Sequence, residues 1–226
     1  MTMVAILLAV VGLGVAADLP ANGTINLDGK TTAVRWDDGD TFKVVETGAS
    51  ARLDGYNTLE NYGPIHRFGP GVTELFQTSE RSTAVATSQE WRCSTQPGGG
   101  GYGRSRVACP DLASHLVREG LAHVFTVGKN ADLELLGLQA QAIKAQLGMW
   151  AQGAPNGIVT SVHSVDEKPG QMSTYNRVVS TVSGLSEKRV HSEVIPPCRW
   201  VCHDGSCLLY VPYSQRYGDK KAACLQ

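Results

Sequence analysis

Between residues 24 and 54 the chain is cut into four short runs, 24–26, 31–36, 41–45 and 51–54, each alternating or β-branched, with Asp-Gly and Thr-Gly pairs between them. Runs this short cannot complete stable helices, and alternation with period two turns one face toward a core, so the region reads as a β meander. Residues 72–88 hold neither Pro nor Gly and read as a helix beneath that sheet. Residues 91–94 and 105–109 read as the arms of a glycine-linked hairpin, and 112–119 as a short helix stopped by Gly120. Leu133, Leu136, Ala140, Ile143 and Leu147 recur at spacings of three and four, which predicts an amphipathic helix over 133–147 with these residues on its apolar face. The expected class is mainly β with α (α+β), a five-stranded barrel with about three helices.

The chain has 226 residues, enough for one domain of about 130 residues and a smaller one, and 42% of it is hydrophobic, which suffices for a core. Its formal net charge is −1, and residues 18–155 carry 12 Lys and Arg against 15 Asp and Glu. A strongly basic face that holds nucleic acid by counterion release is thereby excluded in bulk, and any anion must be met by a local pocket. Residues 4–16 are all apolar or Gly and are followed by Ala17 and Asp18, which predicts a signal peptide over 1–17, cleaved on export to a secreted or periplasmic location. No stable membrane association is expected afterwards, and the chain is expected to be a monomer.

Six cysteines suit an oxidising compartment. Cys93 and Cys109 flank the hairpin loop, Cys202 and Cys207 bracket the turn sequence His-Asp-Gly-Ser, and Cys198 is left with Cys224. These are the expected disulfides, with a zinc site near His203 as the alternative. His66, His115, His123, His163, His191 and His203 form no metal-spaced pair and read as surface or core residues. After a linker at 153–157, segments 158–163, 177–182, 189–195 and 208–211 read as strands, so 153–226 is expected to be a small disulfide-bonded β-rich C-terminal extension. It reads either as an appendage covering the barrel or as a module for substrate or cell-surface binding.

Two clusters carry chemistry. The first runs from Asp38-Gly39-Asp40-Thr41 through Arg52 to Glu60, and the second is Tyr102-Gly103-Arg104. A phosphodiester gains negative charge as it is attacked, and planar guanidinium groups can meet that charge with paired hydrogen bonds. A carboxylate in reach of water can take its proton, and oxygen donors can hold a hard cation such as Ca²⁺. Alone, the Asp-Gly turn is most often a hairpin turn, and Arg52 a cross-strand partner.

In this order and spacing the motifs resemble the staphylococcal nuclease-like (thermonuclease) family, whose members carry Asp-Gly-Asp-Thr, an Arg followed eight residues later by Glu, and Tyr-Gly-Arg. The resemblance covers roughly residues 25–152, continuing through 111–127 and the Gly148-Met149-Trp150 end of the last helix. It implies an OB-fold domain over 18–152, with Arg52 and Arg104 stabilising the phosphoryl group and Glu60 as general base. Asp40, Asn57 and the Thr58 carbonyl would bind Ca²⁺, and Tyr102 would lie beside the substrate. The implied reaction is hydrolysis of DNA and RNA at the 5′ P–O bond, leaving 3′-phosphates. The family usually has Asp where this chain has Asn57, a phosphate-contacting Tyr in some members where this chain has Thr126, and commonly Lys where it has Gly101. Asn57 removes one negative charge from the ion's ligands, so weaker Ca²⁺ binding is expected. The alternative functions are a catalytically weakened OB-fold module binding nucleic acid or another extracellular ligand, and a structural or adhesion protein defined by its extension.

Overall fold

The structure is a computed structural model describing residues 22–60 and 65–226. The expected signal peptide over 1–17 lies outside the described residues. Strands β1 (Gly23–Leu27), β2 (Lys30–Trp36), β3 (Thr41–Val44) and β4 (Ser50–Leu53) form the meander, followed by the short β5 (Tyr56–Thr58) and β6 (His66–Phe68). Then come α1 (Thr73–Thr87), β7 (Trp91–Gly99), β8 (Ser105–Ala108), α2 (Pro110–Arg118), β9 (Ala122–Val124) and α3 (Leu133–Lys144). The extension contributes β10 (Gly157–Ser161), β11 (Thr174–Ser180), β12 (Ser186–His191), β13 (Trp200–His203) and β14 (Ser206–Leu209).

The protein is mixed α+β, with a closed barrel of order β1-β2-β3-β4-β8-β7. The barrel has six strands where five were expected, because both arms of the glycine hairpin enter it. One arm joins β1 in parallel (Ile25 opposite Trp91) and the other joins β4 in parallel (Ala51 opposite Ser105). Ile25, Val34, Phe42, Leu53, Val107, Leu112 and Leu116 fill the core between barrel and helices, and the Trp36 and Phe42 rings meet edge to face at 5.1 Å. Each such buried side chain contributes roughly 1.5–3 kcal/mol.

Helix α3 corrects one expectation. Leu133 is 83% exposed and Ala140 and Leu147 are exposed too; the buried residues are Leu135, Leu138, Gln139 and Ala142, while Leu136 and Ile143 of the expected face pack half-buried at the core's edge. The helix starts where the Asp132 carboxylate accepts from Glu134 N at 2.8 Å and Leu135 N at 3.2 Å, a cap worth about 1 kcal/mol. Leucines at 133, 135, 136 and 138 offer two competing stripes, and the choice falls on the one containing a glutamine. Gln139 accepts from Val124 N at 2.7 Å and donates to the Thr181 carbonyl at 2.5 Å, so its amide ties β9 to the extension and its burial is compensated. Helix α2 ends at Gly120 as expected, with φ +65°. A Cβ there would lie 2.3 Å from the Leu147 carbonyl oxygen, so the 147–148 backbone can pack against it only if this residue is glycine.

All three disulfides pair as expected: Cys93–Cys109, Cys198–Cys224 and Cys202–Cys207. Among the described residues no helix is long and apolar enough to cross a membrane. The extension forms one sheet of order β10-β11-β12, and its β13-β14 hairpin adds to β6 of the preceding region, with Ser206 opposite Phe68. Ile158 of β10 packs with Leu59, Phe68, Met149 and Trp150.

Two histidines are buried, His66 on β6 and His123 on β9. The His66 side chain finds no hydrogen-bond partner among the described residues, and burial together with His123 lowers its pKa to about 3. Burial lowers that of His123 to about 4. Below pH 6.5 the unfolded chain therefore binds protons that the folded chain refuses, so stability is lost as pH falls from 6.5 toward 3. Asp38 and Glu60, whose pKa values are raised on folding, act in the opposite sense. In urea titrations at several pH values, His66→Leu is expected to flatten the acid loss by up to about 1.4 kcal/mol per pH unit. An unchanged slope would refute the assignment.

Candidate functional site

The Asp37–Asp40 turn between β2 and β3 folds back on itself, with Asp37 N donating to the Thr41 carbonyl at 2.9 Å and Asp40 N to Asp38 Oδ1 at 3.0 Å. Gly39 is required there, since a Cβ would lie 2.7 Å from Thr58 Cγ2 and 2.9 Å from Ser82 Oγ of α1. The buried Tyr56 hydroxyl donates to the Gly39 carbonyl at 3.0 Å and fixes the turn over β5. The result is a carboxylate, Asp40, only 1% exposed at the barrel surface.

Arg52 reaches that carboxylate because it stands opposite Thr41 in the β3–β4 pairing. Its Nη1 forms an ion pair with Asp40 Oδ1 and donates to Thr41 Oγ1 at 3.0 Å, while Nη2 donates to Asn57 Oδ1 at 2.6 Å. Asp40 Oδ2 accepts from Thr58 N at 2.7 Å. The antiparallel β5–β9 pairing, with Asn57 opposite His123, holds Asn57 and Thr58 in place. Four residues assigned from the sequence, Asp40, Arg52, Asn57 and Thr58, are thus joined by direct hydrogen bonds.

Glu60 is half-buried just beyond β5, and its pKa is raised, chiefly by burial and then by Asp40, against the pull of Arg52, Arg216 and Arg104. Arg104 follows the hairpin tip, where its N donates to the Gly101 carbonyl at 3.1 Å. In the parallel β4–β8 pairing Arg52 stands opposite Arg106, and Arg104 immediately precedes β8; a Cβ on Gly100 of the same loop would touch Arg52 Cβ at 3.4 Å. Burial and then Arg52 lower the Arg104 pKa, against the attraction of Asp40 and Asp38. Tyr102 is the outlying member, 88% exposed on the tip, with the Arg104 guanidinium 5.7 Å from its ring centre.

Asp38 and Tyr56 were not singled out from the sequence. Asp38 is buried and its pKa stands well above the usual carboxylate range, first through burial and then through Asp40 and Glu60. Its signal was present as the first Asp of the Asp-Gly-Asp-Thr turn, whereas Tyr56 had none. Thr126 is buried and donates to the Lys129 carbonyl at 3.2 Å, facing inward.

Among the described residues no three His, Cys, Asp or Glu side chains gather as a ready-made ion cage. The donors that fit a hard cation are mixed: the Asp40 carboxylate, the Asn57 amide oxygen and the Thr58 carbonyl. Beside them, Thr58 Oγ1 is buried with no hydrogen-bond partner among the described residues. The Asp40 charge, which raises the pKa of both Asp38 and Glu60, and an orphaned hydroxyl make a donor set that a divalent ion would relieve. Arg52 meanwhile acts as the local counter-cation, its own pKa raised because Asp40, Asp38 and Glu60 outweigh the cost of its burial. Searches against protein-family models and against curated proteins found no match for this chain.

Proposed function

We propose that the chain is a secreted, Ca²⁺-dependent phosphodiesterase of the staphylococcal nuclease-like kind, its barrel of the OB type. It hydrolyses DNA and RNA at the 5′ P–O bond to leave 3′-phosphates. The observation that carries this reading is the convergence of Arg52, Asp40, Asn57 and Thr58 in one hydrogen-bonded cluster, with Glu60 and Arg104 within its electrostatic reach.

In this reading Glu60 takes the proton of the attacking water. Its raised pKa makes it a stronger base than an ordinary carboxylate, and the acid limb of the activity profile should be displaced upward by the same cause. Arg52 and Arg104 face the phosphoryl oxygens and offset the charge that builds there. To do so Arg52 must exchange part of its hold on Asp40 and Asn57 for the substrate, which Thr41 and the β3–β4 register leave it placed to do. Asp40, Asn57 and the Thr58 carbonyl would hold Ca²⁺, which would supply positive charge to the phosphate.

A nuclease assay with Ca²⁺ and with chelator, on wild type and Glu60→Ala, tests the reading; equal cleavage by both proteins removes Glu60 as base. A second reading, an oligonucleotide-binding barrel without turnover, is favoured by the engagement of Arg52 with Asp40 and Asn57. Binding without Glu60-dependent cleavage in the same assay would select it. Asn57→Asp is expected to tighten Ca²⁺ binding about tenfold or more in calorimetric titration, since it restores a full charge among the donors. No gain in affinity would show that the ion does not bind at Asn57.

A further inference from the structure

A second grouping of aromatic and charged side chains lies on the C-terminal extension. Its β14 strand is laid against the segment that follows Glu60: Leu209 N donates to the Ile65 carbonyl at 2.9 Å, and Ile65 packs with Leu209 and Val211. Past Val211 the chain makes short turns over Tyr213–Gln215 and Gly218–Lys220 and is tied back by Ala222 N to the Gln215 carbonyl at 3.0 Å and by Cys198–Cys224. Arg216 is set in this frame by donating from Nε to the Val211 carbonyl at 2.9 Å.

Two aromatic rings are held outward here. Tyr213 is 75% and Tyr217 47% exposed, their centres 5.7 Å apart and edge to face, with the Arg216 guanidinium 6.0 Å from the Tyr213 ring. The hairpin tip repeats the pairing in Tyr102 and Arg104. Glu60 feels both Arg216 and Arg104, and Tyr217 feels both Glu60 and Asp37, so tail and hairpin both come within electrostatic reach of Glu60.

We propose that Tyr213, Arg216 and Tyr217 form a subsite for single-stranded nucleic acid on the C-terminal extension, the rings stacking on bases and Arg216 meeting a backbone phosphate. The chemistry follows from the groups. Every base has a π face, so exposed tyrosines bind sequence-tolerantly, and a base must be unpaired to reach them. A guanidinium beside the rings supplies the anion contact that the acidic bulk charge of the barrel does not. The subsite rests on the nuclease reading for its substrate class and deepens it, assigning the extension a share in substrate binding.

The test uses the full chain carrying Glu60→Gln, so that substrate survives, and the anisotropy of a labelled oligodeoxythymidylate dodecamer. Tyr213→Ala with Tyr217→Ala is expected to raise Kd about tenfold, and the double Phe variant to bind within about twofold of its parent. Arg216→Gln is expected to lower the slope of log K against log salt by about 0.7, the share of one phosphate on a single strand. Melting temperatures of the variants guard against unfolding, and the Phe pair isolates stacking from fold. An unchanged Kd in the Ala pair, or no binding by the parent, overturns the subsite. Tyrosine-dependent binding without Glu60-dependent cleavage keeps the subsite and removes the nuclease reading; Glu60-dependent cleavage with unchanged binding does the reverse.

Discussion

Glu60→Ala is expected to lower kcat on single-stranded DNA by about 10²–10⁴-fold, the usual contribution of a positioned general base. The loss should fall on kcat more than on KM, because Glu60 is assigned to the water and the guanidinium groups to the phosphate. Stability should not fall with it. Burial and Asp40 press Glu60 toward its neutral form, so its removal relieves like-charge repulsion around Asp38 and Asp40. Loss of activity with a retained or raised urea midpoint is the signature; equal loss of both would mean that Glu60 supports the fold, and unaltered turnover would remove it from the reaction.

Arg52→Ala carries the second large effect and strikes both properties. It leaves Asp40, 1% exposed, without its ion-pair partner and strips Asn57 Oδ1 of its donor. Breaking one side of a buried pair costs about 3–5 kcal/mol, and loss of a charge-stabilising donor costs about 10²–10³ in kcat. Arg52→Lys should recover part of the stability and little of the activity, since an ammonium cannot span Asp40 and Asn57 as the fork does. Adding Asp40→Asn to Arg52→Ala should recover stability by removing the stranded charge, with activity still lost. If Arg52→Ala unfolds at the wild-type urea midpoint, the pair contributes nothing and the cluster is not what holds β3, β4 and β5 in register.

Much of this was legible in the chain. The four runs before residue 54 lie on β1 to β4, and the glycine-rich loop joins β7 to β8, because turn chemistry and period two are local properties. The cysteine pairings were legible for the same reason, each being close in sequence or left by elimination. β5, β6, β9 and β13 were missed, three or four residues each, too short for alternation to declare itself. On α3 the apolar spacing found only two of the packed residues, Leu136 and Ile143, because the helix is turned so that Gln139 makes its buried hydrogen bonds, and periodicity counts a glutamine as polar.

The sequence by itself determined the spacing and chemical character of the proposed site residues: Asp40, Arg52, Asn57, Thr58, Glu60, Tyr102 and Arg104 stand at fixed separations, and their charges and hydrogen-bonding groups are properties of the side chains. Tertiary structure decided what those groups do to one another. The β3–β4 register turned Arg52 onto Asp40 and Asn57, and burial raised Glu60 and Asp38. The pairing of β14 with β6 brought Arg216, more than 150 residues away in sequence, to the side of Glu60. Spacing along a chain governs only contacts within a turn or a hairpin; charge coupling falls off with distance through space, which closure of the sheets alone sets.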